Sequence, residues 1–402
     1  MSVWFISLLL QATLALPEVE RLPEPSSAGS TGPNWVRGAP EPTLIWMERE
    51  RDKTVILQES VWREGSWSPK TAQTQSNKAF VNWADFPQAA VSLQGNSLYA
   101  TLELMDYPHL SYGVRLNTES GNTAWLHQDT SGVEHGFPSL VAHPAEGWLA
   151  IWLDGRGGSG HGHGSESERM SLMAARVTAT GEALGEVVID ARACSCCSTD
   201  LAFAEDGAAW AVYRDRSDDE VRDIALVQIP ANLGVEDGES AAVLESRIPV
   251  PDGWKVLGCP VNGPALAIEA NQLAYCWFTM GKDGSQPQVR LAVSTDGGDT
   301  FGIPYRISSG RSLGRVDLEF VDADTLLVTW LESRSQGAAW MAKTLNVKTR
   351  EFSQAMLVDS VSGSRSDGFL RLSKQQSDIY AAWLDDGIVR TARISNPRTL
   401  QE

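Results

Sequence analysis

The chain has 402 residues, 42% of them apolar, which is enough for one large fold or for two or three ordinary domains. Its formal charge of -18 excludes nucleic acid and anionic membrane surfaces as general partners, though a local arginine cluster could still hold a small anion.

Residues 1–16, MSVWFISLLLQATLAL, are almost wholly apolar and too short to span a bilayer. They predict a signal peptide, with Thr13-Leu-Ala15 as the cleavage context, although no Lys or Arg precedes the run. A buried N-terminal strand is the alternative. Export to the periplasm or the extracellular space follows from the first reading. Residues 17–32, rich in Pro, Ser and Gly, predict a linker or a closing strand, and 396–402 a tail. No other segment approaches membrane length.

Between residues 33 and 395 one pattern recurs: an apolar strand carrying Trp or another aromatic, in most copies followed by a carboxylate. Its copies are Leu44-Ile-Trp-Met-Glu48, Leu98-Tyr-Ala-Thr-Leu-Glu103, Leu149-Ala-Ile-Trp-Leu-Asp154, Trp210-Ala-Val-Tyr-Arg-Asp215, Leu273-Ala-Tyr-Cys-Trp-Phe278, Leu327-Val-Thr-Trp-Leu-Glu332 and Ile379-Tyr-Ala-Ala-Trp-Leu-Asp385. The spacing, roughly 51 to 64 residues, is that of propeller blades. A short strand precedes each copy and one or two alternating strands follow. The fold class is therefore all-β, a β-propeller of four-stranded antiparallel blades. Seven blades are expected, with six as the alternative if the weak first copy only completes another blade. The last copy lacks a clear fourth strand, so an N-terminal strand from 17–32 is expected to close the ring.

Ser294-Thr-Asp-Gly-Gly-Asp-Thr-Phe301 matches the Asp-box pattern S-x-D-x-G-x-T-[FW], and Asn117–Trp125 is a degenerate copy at the same place in its repeat. On these residues the segment 33–395 resembles the sialidase-like (BNR, or Asp-box) propeller superfamily. It is most similar in pattern to bacterial exported members that also carry C-x-C-C and G-C-P-V-N-G-P runs, here Cys194–Cys197 and Gly258–Pro264. The Asp-box itself serves turn formation.

In a propeller the loops feeding the first strands meet at one face, together with the loops that follow the aromatic strands. These loops carry Asp85, His135, Cys194, Cys196, Cys197, Cys259, Asn262, Arg315 and Asp317, and Arg156, Arg214 and Arg334. Three readings follow. The resemblance implies a glycosidase of the exo-sialidase type acting on an anionic carbohydrate. Arg156, Arg315 and Arg334 would then clamp a carboxylate, with Arg214 and Asn262 as further binding residues. Asp85 and Asp317 would do acid/base or positioning work. The family's R-I-P motif is replaced by Arg37-Gly-Ala-Pro40, and Tyr213 and Tyr305 are nucleophile candidates only by elimination.

The second reading is a copper or zinc site, or a redox centre, built from the four mouth cysteines and His135. Gly160-His-Gly-His-Gly164 could feed it metal, or be a plain polar loop. The third is a non-catalytic interaction scaffold. Removing Cys276, which sits inside an aromatic strand, leaves four cysteines, an even number that also suits two disulfides. A monomer is expected.

Overall fold

The computed structural model describes residues 18–158, 169–233, 244–308 and 311–395. The apolar run 1–16, the His161/His163 segment and the tail 396–402 lie outside the described residues. The protein is all-β. Among the described residues only two 3-10 turns, Gly155–Gly157 and Arg365–Asp367, interrupt the strands. Among the described residues no helix is long and apolar enough to cross a membrane.

Among the described residues the strands fall into six hydrogen-bonded sheets, which divide in chain order into seven antiparallel sets, numbered here as units one to seven. Unit one runs Ser30–Arg37, Thr43–Arg49, Val55–Arg63 and Thr71–Ser76, so the first repeat builds its own set. The first strands of the other six are Gln88–Val91, His135–Ala142, Asp200–Phe203, Ala265–Glu269, Ser312–Asp322 and Arg371–Gln375. Units one and two share a nine-stranded sheet, because Val36 and Arg37 pair in parallel with Ala89 and Ala90. The chain's beginning supplies the outer strand of unit seven, where Glu18–Arg21 pairs antiparallel with Ala392–Ser395.

The aromatic strands explain the stacking. Strand side chains alternate between faces, so a strand buried on both faces reads as a continuous apolar run. Trp148–Asp154 is such a run. Leu149, Ile151 and Leu153 enter one apolar layer with Ala211 and Tyr213 of unit four. Trp148, Ala150 and Trp152 enter another with Leu98, Ala100 and Leu102 of unit two. Among the described residues every consecutive pair of units shares such a layer. A seventh layer, with Trp35, Leu44 and Trp46 against Tyr380, Ala382 and Leu384, joins unit seven to unit one.

The Asp-box is a turn. Asp296 Oδ1 accepts from Thr300 N at 2.9 Å and from Ser294 Oγ at 2.6 Å, and Gly297 and Gly298 take positive φ. Hydrogen bonds from Ser294 and Thr300 lower the exposed Asp296 carboxyl to about 2.

Candidate functional site

Six polar side chains tie each of the first six units to the next. Asn34 donates to Pro87 O, and Ser139 to Thr199 O. Asp85 accepts from Phe137 N at 2.7 Å, and Asp200 from Leu266 N at 2.9 Å. Asn262 accepts from Arg315 N at 2.7 Å, and Asp317 from Leu372 N at 2.9 Å. An unpaired buried N–H or C=O is costly, which explains a polar side chain at each of these junctions. Asp85, Asn262 and Asp317, expected to act on a ligand, are thus occupied in joining units. Asp200→Ala is expected to cost about 3 kcal/mol in urea denaturation, mostly from the orphaned Leu266 N–H, while Asp200→Asn costs much less. The Arg37–Asp200 ion pair adds little, because the Arg37 side chain is 39% exposed.

The mouth differs from the polar site expected there. Phe86, Phe137 and Phe369 are buried in it, with Trp83 and Val261 packed against them. The Arg315 guanidinium lies 5.2 Å over Trp83 and 5.9 Å over Phe369, and its Nη1 donates to Gly368 O and Ser364 O. Burial lowers this guanidinium to about 10. Phe137, Val261 and Arg315 all take positive φ, near 50°, which is strained for a β-branched or bulky residue.

The other arginines do not form the expected clamp. Arg214 is 1% exposed and donates to the carbonyls of Asn262, Arg222 and Phe278. Arg156 pairs with Asp154 and Glu186. Arg334, half-exposed, sits by Glu332 and donates to Met341 Sδ. Tyr213 lies in an aromatic strand, is 1% exposed, and donates to Asp190 at 2.6 Å. Burial and the Asp190 charge push its phenol far up, which opposes a nucleophilic role. Tyr305 lies in an outer strand against Phe352.

The cysteines are joined as Cys194–Cys197, within one loop, and Cys196–Cys259, between units four and five. Cys276 is a buried free thiol. Two feeding loops touch here: a Cβ on Gly263 would lie 1.9 Å from Ser198 O. The His135 imidazole has partners other than the cysteines. Its Nδ1 lies 3.0 Å from Asp154 Oδ2, its ring stacks on His127 at 3.6 Å, and it falls outside the group formed by Cys194, Cys196 and Cys197. Burial would raise Asp154, but hydrogen bonds from His135 and Arg156 outweigh it and hold this carboxyl well below the usual range.

All seven first strands line one cavity of about 440 Å³. Its charged residues are Arg37, Arg371 and Lys374 against Asp200, Asp317 and Glu319. Arg37 bonds Asp200 at 2.5 Å and Lys374 bonds Glu269 at 2.8 Å. Arg371 lies 4.8 Å over Phe86 and 5.3 Å over Phe369. Its Nε is buried without a hydrogen-bond partner among the described residues. Burial raises Asp317 to about 6; burial, with Asp317 nearby, raises Glu319 to about 7. Of these residues only Asp317 was singled out from the sequence. The signal available for the rest was a charge at every second or third position of a first strand.

No protein-family model matches the chain, and no curated protein matches it. Solved structures do. The BP39L lectin from Burkholderia pseudomallei is 12% identical with a TM-score of 0.61, over 92% of this chain and 97% of the lectin. The polysaccharide lyase Uly1 is 11% identical with a TM-score of 0.54, over 90% of each chain. The Hadza microbial sialidase Hz136 is 13% identical with a TM-score of 0.50, over 90% of this chain and 75% of the sialidase. At these identities the likeness is one of fold alone, which the chain shares with this lectin, this lyase and this sialidase.

Proposed function

We propose that the chain is an exported, seven-bladed propeller, closed by Glu18–Arg21, that binds a carboxylate-bearing sugar in its central cavity. The cyclic order of the apolar layers supports the closed ring. The two disulfides and the apolar run at 1–16 support export. The fold shared with a lectin, a lyase and a sialidase supports a carbohydrate ligand by analogy.

The observation that carries the reading is Arg371. Arg37 and Lys374 already have carboxylate partners. Arg371 faces the same cavity with a donor unused among the described residues. A guanidinium presents a planar fork that fits a carboxylate with two parallel hydrogen bonds. The cavity falls in the ordinary range for ligand sites, about 300–1,000 Å³. The burial of Tyr213 and its bond to Asp190 favour binding over hydrolysis through that residue.

Calorimetric titration with uronate- and sialate-terminated oligosaccharides against their neutral counterparts tests this. The native protein is expected to prefer the carboxylate sugar. Arg371→Lys keeps the charge but loses the fork, and is expected to weaken that sugar by roughly 10- to 100-fold, the worth of a charge-assisted hydrogen bond. Equal binding of both sugars by the native protein would sink the reading. Turnover of a fluorogenic sialoside that Tyr213→Phe abolishes would restore the hydrolase instead.

A further inference from the structure

We propose that Cys194, Cys196 and Cys197 form a redox-gated site for copper(I), closed while the disulfides are intact and opened by a dithiol reductant. Their three sulfurs all lie within 4.8 Å of one another, and Cys194 Sγ is 4.0 Å from Cys196 Sγ. Metal–thiolate bonds of about 2.3 Å place the sulfurs of a trigonal or tetrahedral site about 4 Å apart. The Cys194–Cys196 pair is therefore spaced for a metal, and Cys197, bonded to Cys194, reaches that spacing by side-chain rotation once the disulfide is reduced. Cys194 and Cys197 are 1% and 2% exposed, which shelters a bound ion from water.

The donor set selects the ion. Among the described residues no His, Asp or Glu joins the three sulfurs. Three soft thiolates suit copper(I), whereas the four ligands of a structural zinc site would need Cys259, which lies outside this 4.8 Å group, to swing in after its release from Cys196. Cys259 stands on an exposed loop, beside Leu257 at 92% exposure, and is the sulfur a reductant meets first.

One thiolate of a dithiol attacks Cys259 Sγ, breaks its bond to Cys196 and frees the Cys196 thiolate. The second thiol of the reductant resolves the mixed disulfide, leaving Cys259 reduced and the reductant as a cyclic disulfide. The Cys196 thiolate attacks Cys194 Sγ, 4.0 Å away, and releases Cys197. A second dithiol reduces the new Cys194–Cys196 bond in the same way. Two dithiols thus deliver four electrons and four protons. Copper(I) then displaces three protons from the three thiols.

The test is anaerobic titration of the full chain with copper(I) alone, buffered by a chromophoric competitor. The oxidised protein is expected to retain no copper. The dithiol-treated protein is expected to retain one copper per chain, with ultraviolet thiolate-to-copper absorption. Cys196→Ser is expected to lose at least 100-fold in affinity, and Cys276→Ser nothing. Cys259→Ser keeps the trio and needs one dithiol instead of two. Circular dichroism checks that each protein is folded. Folded, reduced protein that takes no copper would overturn the site, as would Cys196→Ser binding as tightly as the native chain or a preference for zinc.

Discussion

Cys259→Ser is expected to destabilise the protein by about 4 kcal/mol, read as a lower urea midpoint under non-reducing conditions. The Cys196–Cys259 bond spans 63 residues, and the chain-entropy relation gives about 4.3 kcal/mol for a loop of that length. Cys197→Ser opens a loop with a separation of only 3, where the same relation gives about 2 kcal/mol. The order of the two effects tests the argument better than either value, because both cysteines sit in one small region. The bond is not asked to create the contact between units four and five. Gly263 already lies so close to Ser198 O that no side chain would fit. The cross-link should act mainly on the unfolded chain, so refolded Cys259→Ser protein should keep the native circular dichroism spectrum. Equal midpoints for both variants would mean that the unfolded chain is not the state being constrained.

The repeat was legible because the aromatic strands are buried on both faces, and such strands write continuous apolar runs into the sequence. The outer strand of unit seven was readable from the missing fourth strand of the last repeat. The site was harder. Asp85 looked free because its partner, Phe137 N, is 52 residues away in the chain. A polar residue that staples two units is indistinguishable in sequence from one that meets a ligand. The Asp154–Arg156 pair, by contrast, is local and could have been read as such. Tyr213 shares a face with Ala209 and Ala211 at period two, so its burial was also readable. Arg371 was hidden for a different reason. Arg371-Leu-Ser-Lys-Gln375 has the polarity of a surface strand, and a strand lining a wet cavity has the same polarity.

The buried carboxyls predict an unusual pH response. Asp85 and Glu319 lie at about 7 and Asp317 at about 6, in each case chiefly through burial. In the unfolded chain all three ionise near pH 4. Between pH 4 and 7 the unfolded state therefore sheds protons that the folded state keeps. The stability these groups contribute is full below pH 4 and is lost as pH rises through 6 to 7. Moving one carboxyl from 3.8 to about 7 corresponds to about 4 kcal/mol. Asp154 opposes the trend only below its unfolded value, because its folded carboxyl is depressed. Urea midpoints should consequently be higher at pH 5 than at pH 8. Asp85→Asn, which can still accept from Phe137 N, should flatten the slope. The same protons act on binding. Near pH 8 Asp317 and Glu319 are both ionised, and the Asp317 carboxylate competes with a ligand for the field of Arg371, while Arg37 stays with Asp200 and Lys374 with Glu269. At pH 5.5 they are largely neutral and a sugar carboxylate is still ionised. Affinity for the carboxylate sugar is expected to rise roughly 10-fold from pH 8 to 5.5, a gain of about 1.4 kcal/mol. Asp317→Asn should remove much of that rise by giving the tighter binding at both pH values. An affinity that falls on acidification would place the ligand's charge away from Arg371.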